Sequence, residues 1–224
     1  MLKWCKRIIA VLLLPVCIGA GSALWFVLRT SATAETIWVP LVAGAGCWLA
    51  IYLLLPKPMW IYVAGHEFTH AIWTWLMGGR VKKFKITSAG GHVVVTKSNF
   101  LIALAPYFFP LYALMVIAIF AGGRALWHWH AYAVWFHFFL GAAYAFHLTL
   151  TWHILKTTQS DITQHGYLFS AVVIFLGNIG LLLLAIPPLT GTVTVTQVFH
   201  WWSNSSWEVV QTVLRMLSLR WRLA

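Results

Sequence analysis

Over most of its length the chain does not alternate hydrophobic and polar positions, as a half-buried strand or an amphipathic helix would; they run in blocks. Six apolar blocks stand out, at about 8–28, 37–55, 59–77, 100–122, 131–154 and 167–189. Each approaches the roughly 20 residues that a helix needs to cross about 30 Å of hydrocarbon. In lipid every backbone N–H and C=O must be paired within the protein, which leaves helices or a closed barrel, and unalternating runs predict helices. Pro56 and Pro58 divide the second block from the third, because proline interrupts a helix but is tolerated in its first turn. Trp and Tyr gather near many block ends, as in interfacial aromatic belts. The expected fold is an all-α polytopic membrane protein of about six transmembrane helices.

Three stretches depart from the block pattern. Between the third and fourth blocks, "GGRVKKFKITSAGGHVVVTKSN" alternates at both ends around the turn-prone "SAGG", which predicts a small β-hairpin. The tail "SSWEVVQTVLRMLSLRWRLA" carries apolar Trp207, Val210, Val213, Leu214 and Leu217, with Arg215, Arg220 and Arg222 elsewhere, and predicts an amphipathic helix lying in the interface. The start "MLKWCKRIIAVLLLPVCIGAGSALWFVL" has the basic opening and small residues of a signal peptide. Its apolar run, however, extends to Leu28, which favours a retained first helix. No repeat or linker divides the chain, so one membrane domain is expected: N-terminal helices over 1–58, a core over 59–190 and the C-terminal helix over 191–224.

Composition agrees. The 224 residues are 61% hydrophobic and 8% charged, against about a quarter charged in an ordinary soluble domain. Fifteen Lys and Arg against four acids give a charge of +11. These bases sit in short segments between apolar runs, where they meet anionic headgroups and set topology, so the lipid bilayer and no nucleic acid is the expected partner. Arg80, Lys82, Lys83, Lys85 and Lys97 place one end of the third helix toward the cytosol. Lys3, Lys6 and Arg7 favour the same side across three spans, so either one early segment does not cross or one of the signals loses. Cys5, Cys17 and Cys47 have no CxxC spacing and read as small hydrophobes.

The four carboxylates are Glu35, Glu67, Asp161 and Glu208, and only Glu67 lies well inside an apolar block. A charge there costs about 2.5 kcal/mol or more on insertion and calls for a partner. The partner is in "VAGHEFTHAIW": His66 and His70, four apart, share one helix face and can grip a metal together. Glu67, about 100° around the helix, can reach a metal-bound water without ligating the metal and act as general base. The bland alternative is a pair of buried histidines, with Glu67 paired to a base. Catalytic zinc takes three protein ligands, and the candidates for the third are Asp161, His92, His147 and His153. Asp161, the chain's sole aspartate, lies in "KTTQSDITQHG", where it could otherwise be a solvated loop residue or a helix N-cap.

With "GHEFTHAIWTWLMGGRVKKFKI", the "GGHVVV" hairpin and the following "LAPYFFP" helix, the sequence resembles the site-2 protease family of intramembrane zinc metallopeptidases over about residues 59–165. The resemblance implies that Asp161 is the third ligand to Zn2+ beside His66 and His70, and that Glu67 is the base. It implies as substrate a membrane protein or peptide cleaved within or near the bilayer, in the cell inner or plasma membrane, with the site toward the cytosol. Family members usually carry the aspartate in Asn-x-x-Pro-x-x-x-x-Asp-Gly, whereas this chain has "HILKTTQSDI". His153 stands where the asparagine would be, and by that alignment it is a candidate catalytic residue that donates a hydrogen bond to the developing oxyanion. The hairpin edge around Val93, Val94 and Val95 suits pairing with an unwound substrate strand.

His128, His130 and His137 in "WHWHAYAVWFHFF" read as interfacial aromatic and histidine residues, although an HxH pair can also coordinate copper or zinc. The expected function is a zinc metalloendopeptidase. The alternative is a non-proteolytic membrane metal-binding protein, either a metal transporter or a regulatory pseudoprotease, with the same ligands.

Overall fold

The computed structural model describes residues 2–87 and 90–223, with the backbone alone for residues 2 and 220–223. The described residues are helical apart from one hairpin and short connections. The first apolar block forms two helices, α1 (Leu2–Leu12) and α2 (Leu14–Ser31), rather than one. Pro15 sits in the first turn of α2, where it has no N–H to return to the preceding turn. The second and third blocks form α3 (Glu35–Leu54) and α4 (Met59–Leu76), with Pro58 capping α4.

Helix α4 ends on the Gly78–Gly79 pair. Gly78 takes φ +69°, its N–H bonds to the Trp75 carbonyl at 2.9 Å, and the Gly79 N–H reaches back to Thr74 at 2.8 Å. This is a Schellman stop, and its left-handed residue favours glycine. The chain then forms β1 (Val81–Thr87) and β2 (Gly90–Val95), antiparallel, with Phe84 opposite Val93 and Lys85 opposite His92. The expected hairpin is therefore present, while Ser88 and Ala89 of its tip lie outside the described residues.

The fourth block is not one straight helix. Helix α5 (Phe100–Leu104) runs into a 3-10 turn at Ala105–Tyr107 before α6 (Leu111–Trp127) starts, and the two arms meet at 77°. Pro106 and Pro110 supply no N–H across this stretch, so the ladder cannot continue. Helix α7 (Ala133–Leu155), the single turn α8 (Ser160–Thr163), α9 (Tyr167–Thr190) and α10 (Val195–Leu223) complete the chain. The C-terminal helix begins at Val195, inside the segment expected over 191–224 and ahead of the stretch whose amphipathic pattern is plainest; the side chains of Arg220 and Arg222 lie outside the described residues.

Among the described residues four helices are long and apolar enough to cross a membrane: α2, α3, α9 and the Trp129–Leu155 stretch that contains α7. The bent α5–α6 pair makes a fifth if it is one span. Helix α4 is not among them, because His66, Glu67, His70 and two threonines interrupt its apolar surface.

Contacts divide the chain into two compact units, Met1–Ala34 with His165–Ala224, and Glu35–Gln164. In the first, α10 lies close on α2: a side chain at Gly19 would meet Ser206, and the Trp202 indole donates to the Val16 carbonyl at 3.0 Å. In the second, α3 crosses α7 through reciprocal glycines. A Cβ on Gly44 would strike the Phe138 carbonyl, and one on Gly141 the Leu41 carbonyl. Small residues let the two backbones approach, as in packed membrane helices. Beside that crossing, Tyr62, Phe146 and Leu150 form a core with Trp48, Tyr52 and Tyr112, which anchors α4.

Candidate metal centre

The helical repeat sets the first part of the site. His66 and His70 are one turn apart on α4, with ring centroids 4.9 Å apart. Opposite them comes Asp161, carried by α8, whose Ile162 is buried. Asp161 is thus neither a solvated loop residue nor a helix N-cap; Gln159 precedes α8 at the cap position. Its Oδ2 lies 3.5 Å from the Nε2 of His66 and 3.5 Å from the Nε2 of His70. Among the described residues these three form the one group of His, Cys, Asp or Glu able to hold a metal ion, with ligand atoms all within 4.8 Å of one another.

The spacing fits a metal. Bonds of about 2.1 Å to tetrahedrally placed ligands put those ligands about 3.4 Å apart. The two 3.5 Å separations match such an edge and are long for direct hydrogen bonds. Ring orientation fits as well. His70 donates from Nδ1 to the Ile102 carbonyl at 2.8 Å, which leaves the Nε2 lone pair facing the group. Ile102 is itself held by the α5 cap, where the Asn99 side chain accepts its N–H at 2.9 Å. His66 Nδ1 is buried without a hydrogen-bond partner, and the ring lines a cavity of about 20 Å³ with Thr69, Tyr112 and His147.

The 77° bend brings one further group into place. Tyr107, wholly buried at the end of the 3-10 turn, donates its hydroxyl to Asp161 Oδ2 at 3.1 Å. Its ring stands edge-on to His66, centroids 5.3 Å apart. Burial alone would raise the Asp161 pKa, but the two imidazoles outweigh it and hold the carboxyl below the usual carboxylate range.

Glu67 points under the hairpin. It is 8% exposed, and a Cβ on Gly91 would come within 2.6 Å of its Cγ, so only glycine allows β2 to lie this close. The Val93 N–H interacts with the Glu67 carboxylate. Gly91, Val93 and Val95 are half-buried, whereas His92 and Val94 are exposed on the opposite face, which removes His92 from the ligand candidates. His147 is buried beside His66 but does not belong to the metal-holding group. His153 is half-buried in the last turn of α7, and among the described residues its ring makes no hydrogen bond to Glu67, His66, His70 or Asp161.

Searches against family models, curated proteins and solved structures find no match to this chain. Sequence reasoning missed Tyr107 and the Ile102 carbonyl. The signal available was the pair of prolines in "LAPYFFP", which breaks the helix and turns Tyr107 toward the carboxylate.

Proposed function

We propose that the protein is an intramembrane zinc metalloprotease of the site-2 protease kind, hydrolysing peptide bonds of membrane-associated substrates. The observation that carries this reading is the convergence of His66 Nε2 and His70 Nε2 on one Asp161 oxygen, with Glu67 buried next to His66 on the same helix. Two imidazoles and one carboxylate are a donor set of catalytic zinc, which keeps a fourth position open. His66, His70 and Asp161 would hold the metal, which would supply Lewis-acid chemistry to a water and to the scissile carbonyl.

The chain's own residues do the rest. Glu67 takes the proton of the attacking water and passes it to the leaving amine. Among the described residues strand β2 has β1 on one side only, and an extended peptide adding to its other edge around Val93, Val94 and Val95 would take over the Val93 N–H from Glu67. A substrate helix unwound along that edge would bring its carbonyl beside Glu67. The apolar helices support placing this chemistry in a bilayer, with the lysine-bearing hairpin toward the cytosol.

The test uses full-length protein reconstituted in liposomes with a tagged single-span model substrate. Zinc content is read by mass spectrometry and cleavage by gel. Glu67→Gln is expected to keep its zinc and to lose about 10²- to 10⁴-fold in cleavage rate. Undiminished cleavage by Glu67→Gln would sink the hydrolytic reading. Stoichiometric zinc in a wild-type protein that cleaves nothing would favour the transporter or pseudoprotease instead.

A further inference from the structure

Three contacts meet on one oxygen atom. Asp161 Oδ2 receives the Tyr107 hydroxyl at 3.1 Å and faces the Nε2 atoms of His66 and His70 at 3.5 Å each. Tyr107 is 0% exposed, and its ring packs on His66, so the phenol cannot turn away without opening the core. It comes from the 3-10 turn after α5, whereas Asp161 rides on a one-turn helix with little structure of its own. A single turn cannot by itself fix a side chain, because helices of that length are marginal without outside contacts.

We infer that Tyr107 is a positioning residue: by donating to Asp161 Oδ2 it holds the carboxylate against His66 and His70 and keeps the three ligands assembled before a metal arrives. The inference deepens the metalloprotease reading and rests on its metal site. A phenol suits the task. It is rigid and donates one proton, and it stays neutral beside a carboxylate where a lysine or arginine would compete with the cation for that oxygen.

The test is metal affinity rather than turnover. Full-length metal-free protein in detergent micelles is titrated with Co2+ and Zn2+ against a chelator of known affinity, and the Co2+ absorption spectrum reports ligand geometry. Tyr107→Phe keeps the ring against His66 and removes only the hydroxyl. It is expected to bind both metals about 10- to 100-fold more weakly, with an altered Co2+ spectrum. The same substitution in an Asp161→Ala background is expected to change affinity less than about twofold, because its target is gone. Equal losses in both backgrounds would mean a merely structural role and overturn the inference, as would wild-type affinity and spectrum in Tyr107→Phe. If Tyr107→Phe does not yield folded protein, 3-fluorotyrosine at 107 keeps the shape and strengthens the donor; an unchanged Co2+ spectrum there would also overturn it. Wild-type protein that binds neither metal, or binds them equally well as His66→Ala, defeats the metal site itself. A normal wild-type site with an indifferent Tyr107 defeats only the positioning role.

Discussion

Two histidine pairs in the same compact unit invite comparison. His66 and His70 on α4, and His137 and His147 on α7, all lie in apolar helices and are buried or nearly so. Helix α7 contains no acidic residue, and its two buried histidines are ten positions apart, off a common face. On α4 the pair is one turn apart, a carboxylate from α8 bridges both Nε2 atoms, and a carbonyl fixes one tautomer. Buried histidine alone therefore does not make a group able to hold a metal in this molecule. What sets the α4 group apart is convergence of ring nitrogens on a carboxylate that a separate element delivers.

The largest effects should fall on the α4 side of that comparison. His70→Ala removes a ligand and leaves Asp161 and His66 unable to complete the site; zinc content should fall below a tenth of wild type by mass spectrometry, and cleavage with it. His147→Phe, which replaces a buried histidine beside the site, should keep wild-type zinc within a few-fold. If the two variants lost zinc alike, the contrast between the pairs would collapse.

A smaller effect is expected where the hairpin meets the base. Gly91→Ala sets a methyl 2.6 Å from the Glu67 Cγ, with the Lys85 carbonyl 3.0 Å away, so the strand or the carboxylate must shift. Displacing a catalytic group by about 1 Å can cost about 10²-fold in rate. Zinc should stay bound while cleavage of the model substrate drops by about 10- to 100-fold. Zinc loss in Gly91→Ala would show that the hairpin supports the ligands rather than the base. Val93→Pro, which deletes an N–H directed at Glu67 and the β2 edge, should likewise slow cleavage tenfold or more with zinc retained.

The ease of reading these features from sequence followed their locality. His66, Glu67 and His70 lie within one helical turn, so spacing alone implied their common placement, and the Gly78–Gly79 stop and the alternating hairpin were equally local. Asp161 needed the family resemblance, because nothing between residues 70 and 161 states how the chain returns. The bend at Pro106 and Pro110 was hidden inside a continuous apolar run, since hydropathy does not register a missing N–H. Tyr107 passed as one more aromatic residue for the same reason: its hydroxyl acquires a partner only after the chain bends and α8 docks. The break at Leu13 likewise follows from Pro15, whose effect an apolar average conceals.

His153 supplies the finest test, because it belongs to α7 with the pair that has no carboxylate, yet the family resemblance would make it a donor to the oxyanion. Loss of such a donor typically costs about 10²- to 10³-fold in turnover. Here the ring sits in the last turn of α7, half-buried, with no hydrogen bond to Glu67 or the ligands among the described residues. His153→Ala should therefore lower the rate constant for cleavage by less than about tenfold and leave zinc unchanged. His153→Asn, which installs the asparagine that site-2 proteases usually carry in the motif this stretch resembles, separates the possibilities further. A gain in turnover for asparagine over alanine of about 10²-fold, at equal zinc, would put this position in the chemistry and draw α7 into the site. Equal rates for the two variants would leave α7 a packing helix, with the reacting groups confined to α4, α8 and the hairpin edge.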